Sequence, residues 1–394
     1  MRIRGRRGTC RLARGNGPYG SATVSGRAAA SRAQAGRPGR RRFAVAESLW
    51  HRRCRVHLRR QTAIASGKTH QERIHMRRRA FTTLTAGLLA TPALAQAPYP
   101  NRPIRMVVPL PAGGATDIWA RLVAEPMAGI LGQPVVIENR AGAGGLIGTE
   151  AVKNAPADGH TILFHIANFV QTPVVLRRWP YQLDDFAFLG KFGTTPLPLC
   201  VREDNPAKTL KEFVAWAKGK QLAFGTYSPG SSGHALAQAF SDLERLDMTA
   251  VHYRGEAPLL QDMLGGRVSC AFHSMTASGE QIRSGRLRPL ATLGRGGIPS
   301  LPAVPTFVSL GYPDYFGNSG FIGLFAPVRT PEPILGALED AFRETMARPE
   351  VLRRMAETDT IAQYLPPAAF RADVENYLAF WQGLVDRLGI TAEG

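Results

Sequence analysis

Two stretches of this chain carry the residue types from which an anion site can be built without a cationic side chain. Residues 111–117 read PAGGATD, and residues 226–232 read TYSPGSS with Gly233 directly after. Each lies where a strand-like run gives way to a helix-like one. Glycine lets a backbone approach a ligand closely. The helix that follows supplies N–H groups without partners and a partial positive charge. A carboxylate held there gains about 1.5–3 kcal/mol per charge-assisted bond. The candidates are Ala112, Gly113, Gly114, Ala115, Thr116 and Asp117 in the first loop, and Thr226, Ser228, Gly230, Ser231 and Ser232 in the second. Either Thr116 or Asp117 has a side chain able to cap its helix. For one such loop, ordinary turn chemistry is an equally good reading. Two in one chain favour binding.

Other chemistries fit less well. Gly113-Gly114 matches neither G-x-G-x-x-G nor a P-loop with its lysine. Gly142, Gly144, Gly145 and Gly148 follow a strand, but no lysine stands at P-loop spacing, so they read as a structural turn. Ser232 and His234 are two apart, and no G-x-S-x-G elbow surrounds either. A serine hydrolase using Ser232 or Ser228 is the alternative function. His160, His165, His234, His252 and His273 form no metal-ligand spacing, so neither a metal nor a cofactor is expected.

The elements that position these loops alternate. Residues 104–108, 135–138 and 161–164 read as strands, separated by helical spacing over 118–131 and 146–154. This order predicts parallel strands with crossover helices, an α/β fold. In such sheets ligands bind beyond the carboxyl ends of strands. A second unit repeats the theme, with strands at 199–201, 222–225, 249–253, 268–272 and 287–292. Its helices span 209–217, 234–243 and 256–264. Apolar residues four apart predict packing helices over 333–346 and 367–388.

The chain has 394 residues and a formal charge of +19, and 44% of its residues are hydrophobic. The charge is unevenly placed. Residues 1–95 hold 22 Lys+Arg against Glu47 and Glu72, whereas the remainder holds 27 basic and 28 acidic residues. A nearly neutral body excludes a basic nucleic-acid-binding body, and nothing after residue 95 is apolar for long enough to span a bilayer. Residues 1–75 are expected to be disordered. From Met76 a positive start, a short apolar run and Ala93-Leu94-Ala95 form a signal peptide over 76–95. Arg78-Arg79-Ala80-Phe81 also resembles a twin-arginine signal. The simplest account starts translation at Met76 and leaves residues 1–75 untranslated. The alternative is a basic nucleic-acid-binding arm, against which the missing aromatic interleaving counts. The mature chain then begins near Gln96 and holds two cysteines, Cys200 and Cys270. Buried thiols are preferred over a disulfide for them, though sequence leaves both open.

Several motifs together resemble one family. They are YPNRPIR at 99–105, VVPLPAGGATD at 107–117, GQPVVIENR at 132–140 with AGAGG behind it, and DGHTIL at 158–163. YRGEAP at 253–258, LGGRV at 264–268, LPAVPT at 301–306 and GLFAP at 323–327 complete the set. Spread across roughly 98–390, they resemble the substrate-binding receptors of tripartite tricarboxylate transporters, the Bug family. The resemblance implies a periplasmic solute receptor of the two-domain flytrap fold, each domain a mostly parallel sheet flanked by helices. Domain 1 would comprise 98–197 plus 320–394, and domain 2 residues 198–319. It implies a small carboxylate as ligand, a membrane permease of the same transporter type as candidate partner, no nucleic acid, no enzyme activity and a monomer. It also places the first loop on a ligand carboxylate, extends the second loop to His234, and adds His165 and Asn168 after the third strand. Two departures stand out. Ala115 replaces a common serine or threonine. Phe272-His273-Ser274 lacks the family's aspartate after the phenylalanine, so amino acids should be disfavoured, with His273 proposed to hold an additional carboxylate or aromatic acid.

Overall fold

The strand-like runs of the first third become a parallel triplet. β1 (Ile104–Val108) lies between β2 (Val135–Asn139) and β3 (Thr161–Ile166), with Met106 opposite both Ile137 and Ile162. Helices α1 (Ala115–Leu131) and α2 (Leu146–Lys153) make the crossovers. The computed structural model describes residues 98–391, so the expectations for residues 1–75 and 76–95 lie outside it.

Three further strands complete this sheet: β4 (Phe186–Thr194), β10 (Ile322–Pro327) and β11 (Ile361–Leu365). The order is β11-β4-β10-β3-β1-β2, and the three added strands pair antiparallel. The second sheet contains β5 (Pro198–Arg202), β6 (Gln221–Thr226), β7 (Asp247–His252), β8 (Cys270–Phe272) and β9 (Leu287–Thr292), in the order β7-β6-β8-β5-β9. Here β6 is parallel to β7 and β8, while β5 is antiparallel to β8 and β9. Both sheets are therefore mixed rather than mostly parallel. Parallel pairing occurs within each run of strand–helix–strand crossovers. β5 and β10, which begin just after the chain passes from one sheet to the other, pair antiparallel with their neighbours.

The remaining helices are α3 (Asn168–Leu176), α4 (Leu210–Ala217), α5 (Ser232–Glu244), α6 (Glu256–Leu264), α7 (Met275–Arg283), α8 (Glu332–Met346), α9 (Pro349–Glu357) and α10 (Pro367–Leu388). Alternation along β1 divides the core. Ile104, Met106 and Val108 join Trp119, Val123 and Met127 of α1 and Leu338 and Phe342 of α8. Val107, on the opposite face, joins Phe169 of α3 and Phe370, Val374 and Trp381 of α10. Phe169 stacks on Phe325 at 4.6 Å and on Tyr181 at 5.3 Å. The apolar stripes of α8 and α10 thus pack on the first sheet.

The same alternation decides the fate of the cysteines. Leu199 and Val201 face one core cluster together with Cys270, and Cys200 faces another. Neighbouring strands thus send the two thiols to opposite faces of the sheet. Both are free and fully buried. Burial pushes the Cys270 thiol up to about 12 and raises that of Cys200 as well. The expected outcome of peptide mapping is that Cys200 and Cys270 are recovered unlinked from protein kept in oxidising buffer. Iodoacetamide should label them only in denaturant. A cross-linked Cys200–Cys270 peptide would contradict this packing.

Candidate functional site

A cavity of about 730 Å³, its open mouth included, is lined by residues of both sheets' layers. Helix starts surround it. Gly114, Ala115 and Thr116 open α1; Asn168 opens α3; Ser232 opens α5; Gly255 and Glu256 open α6; and Ser274 caps α7. Five helices therefore bring N-terminal N–H groups and their partial positive charge to one space. Trp119, Leu110, Ile166, Leu197 and Phe321 supply apolar wall. Among the described residues lining it, none is Lys, Arg or His, and Glu256 is the one acid; burial raises its pKa above the usual carboxylate value, against the hydrogen bonds from Ser274 and Ala115.

The first loop is held open by its own acid. Asp117, at 4% exposure, reaches back from the third helical position and accepts the Gly113 N–H at 3.0 Å. It also accepts Arg121 at 3.0 and 3.1 Å and the Asn139 amide at 3.0 Å. Burial alone would raise its pKa. The hydrogen bonds from Arg121, Gly113 and Asn139 outweigh burial and hold the carboxyl below its usual range. Asn139 donates in addition to Leu110 O at 3.2 Å, so the end of β2 braces the loop. Gly113 has φ +78°, a conformation other residues adopt at a cost. Neither Thr116 nor Asp117 caps the helix, whose N-cap is Gly114 without a side-chain hydrogen bond. Asp117 and Gly113 shape the loop and do not line the cavity.

The second loop is also mostly scaffold. Ser231 caps α5, its Oγ accepting the His234 N–H at 3.2 Å and donating to Ser228 O at 2.8 Å. Gly230 N–H is accepted by His234 Nδ1 at 3.2 Å. Thr226 Oγ1 meets His252 Nδ1 at 2.9 Å. Ser228 Oγ accepts the Asn168 amide at 2.8 Å. Of this loop, Tyr227 and Ser232 line the cavity. None of the hydroxyls of Ser228, Ser231 and Ser232 bonds to the ring of His234, so the structure holds no serine–imidazole hydrogen bond of the kind a hydrolase uses.

Helix α3 carries polar groups the sequence reading caught only in part. Its residues from Asn168 to Val175 are all buried, and no amphipathic stripe announced it. Asn168 begins the helix and lines the cavity, whereas His165 lies within β3, not in a loop. Gln171, which the sequence reading missed, donates to Ser232 Oγ at 2.7 Å and to Tyr377 OH at 2.5 Å. Asn168 Oδ1 and Gln171 Oε1 have no hydrogen-bond partner, although each residue is only 1% exposed. Buried amide oxygens are rarely left so, and here both belong to residues that line the cavity.

Of the expected contacts, Ala112, Gly114, Ala115, Thr116, Asn168 and Ser232 line the cavity. Gly113, Asp117, Thr226, Ser228, Gly230, Ser231, His165, His234 and His273 do not. His273 is fully buried with neither ring nitrogen bonded, and its neighbour Ser274 takes the cavity position instead. His273, expected to hold a ligand acid, thus lies behind the cavity lining. Tyr227, Glu256 and Ser274 were overlooked. The last two had the same signal as the chosen loops, a glycine or serine at a strand-to-helix step.

Three of these histidines make a pH dependence. Burial lowers His165 to about 3, and His234 and His273 to about 4, with the ring of His252 at 4.7 Å adding to the effect at His234. Each is neutral when folded, whereas the unfolded chain takes up a proton below about 6.5. Stability should therefore fall as pH drops from about 6.5 toward 4, by up to about 1.4 kcal/mol per pH unit for each histidine. The urea midpoint should be clearly lower at pH 5 than at pH 7, and His273→Gln should flatten the dependence. Equal midpoints at the two pH values would contradict these buried neutral rings.

The model of the tripartite tricarboxylate transporter family receptor matches residues 119–387 of this chain. Protein BugT of Bordetella pertussis is 34% identical over 313 residues, covering 77% of this chain and 94% of its own. The periplasmic binding protein BugD superposes with a TM-score of 0.71 at 30% identity, covering 74% of this chain and 99% of BugD. The R. palustris protein Rpa4515, solved with adipate, gives a TM-score of 0.71 at 29% identity, covering 74% and 99% of the two chains. The strand-to-helix loops described above belong to the same architecture, and the chain is a member of the tripartite tricarboxylate transporter receptor family, which includes the Bug proteins.

Proposed function

We propose that this chain is an extracytoplasmic receptor that binds a small carboxylate between its two sheets and releases it unchanged. The observation that carries this reading is the convergence of five helix N-termini on a cavity without a cationic side chain. Such a site suits an anion whose charge is met by N–H groups. The solved relative with adipate supports the ligand class. In this reading the sheets belong to two lobes, residues 98–197 with 320–394 and residues 198–319. They close on the ligand about the crossings after Thr194 and before Ile322, and Thr195 and Gly320 at those crossings line the cavity. A segment over 76–95 exports the protein to the periplasm, where the receptor acts as a monomer and hands its ligand to a membrane permease or a sensor. Catalysis plays no part. The second-loop hydroxyls serve caps and cross-lobe hydrogen bonds.

A thermal-shift screen of small mono- and dicarboxylates, aromatic acids and amino acids tests this. A ligand at 100 times its dissociation constant adds about 2.7 kcal/mol, which corresponds to a rise of roughly 4 °C for a chain of this size. The expected result is a saturable rise with at least one carboxylate, recovered intact after incubation. A ligand consumed during incubation, or no rise with any carboxylate, would overturn the receptor reading.

A further inference from the structure

Glu256 is the one acidic side chain lining the cavity, and it already sits on the amides. Its Oε1 accepts the Ser274 N–H at 2.6 Å, and its Oε2 accepts the Ser274 hydroxyl at 2.9 Å. The Ala115 N–H donates to the same carboxylate. Ser274 caps α7 and Ala115 opens α1. One internal carboxylate thus takes the N-termini of two helices, one from each sheet's layer. The close approach that permits this is built in. Gly255, at φ +97°, lies so near Pro111 that an added Cβ would sit 3.1 Å from it.

What remains for a ligand is unequal at the two ends of the cavity. In α1, Asp117 and Ile118 donate to Gly114 O and Ala115 is taken, which leaves the Thr116 N–H for an incoming carboxylate. The buried amides of Asn168 and Gln171 can turn either their oxygen or their nitrogen to a ligand, so they do not discriminate by charge. Glu256 does. Three donors occupy a group with about four acceptor sites, and the free one suits a donor. With no cation lining the cavity, a second ligand carboxylate would have to stand beside Glu256 or evict it from Ser274 and Ala115.

We propose that Glu256 is the specificity-determining residue, an internal carboxylate filling the amide cradle that a second ligand carboxylate would use. The receptor therefore selects a ligand with one carboxylate and, opposite it, a hydrogen-bond donor such as an ammonium or amide group. This rests on the carboxylate-receptor reading. It also reverses the expectation drawn from Phe272-His273-Ser274, because the acid absent after Phe272 is supplied from α6.

Isothermal titration with two matched series tests it: succinate, succinamate and 4-aminobutyrate, then adipate, adipamate and 6-aminohexanoate. The wild-type protein is expected to bind an amide or ammonium member at least tenfold more tightly than the dicarboxylate of equal length. Glu256→Gln should erase or invert that ranking. Tightest binding of a dicarboxylate by the wild-type protein overturns the proposal, even if no variant folds. An unchanged ranking in a folded Glu256→Gln protein also overturns it. Absence of binding by all six overturns it too, and the wider carboxylate screen then decides separately whether the receptor reading stands.

Discussion

The structure depends on one constraint: helix N-termini, and no cationic side chain among the described lining residues, face the cavity. A lysine or arginine brings charge on a flexible stem and can be placed from many backbones. A helix N-terminus acts only within about its first turn, so the helix itself must be aimed. Five helices start at the cavity, and that requirement fixes the strand-to-helix steps of both sheets. The parallel triplets β2-β1-β3 and β7-β6-β8 follow from it. Parallel strands joined by crossover helices place successive helix starts along one edge of a sheet.

Rigidity around those N–H groups comes from residues that do not line the cavity. Asp117, Asn139 and Arg121 lock the first loop, and Ser231 and His234 lock the second. The histidines act here as buried, neutral wedges and acceptors. Their neutrality ties the stability of this scaffold to pH, although none of them lines the site. The one acid lining the cavity is Glu256, held by both layers at once.

Much of this was legible in the sequence because periodicity and glycine loops are local signals. The strands at 104–108 and 287–292 and the helices at 256–264 and 367–388 took the bounds read for them. β4 was hidden by Gly190, Lys191 and Gly193, and β10 by Gly323 and Pro327, which break the appearance of a strand. β11 is short and largely exposed. Helix α3 is buried on all sides, its polar Asn168, Gln171 and Thr172 included, so no solvent-facing stripe marks it. The first glycine loop was found because its chemistry is contiguous. The distinction between Gly114 and Thr116, which line the cavity, and Gly113 and Asp117, which support it, needs the third dimension. So does the pairing of Glu256 with Ser274, 18 residues away. No sequence spacing announces it, since α6 and β8 bring the two together.

The most direct test of the central claim is amide NMR during titration with whichever carboxylate gives the largest thermal shift. The Thr116 and Ser232 amide protons should move downfield and saturate together at the dissociation constant found by calorimetry. Saturable carboxylate binding that leaves both resonances in place, with shifts confined to arginine or lysine side chains elsewhere, would contradict an anion site built from helix N-termini.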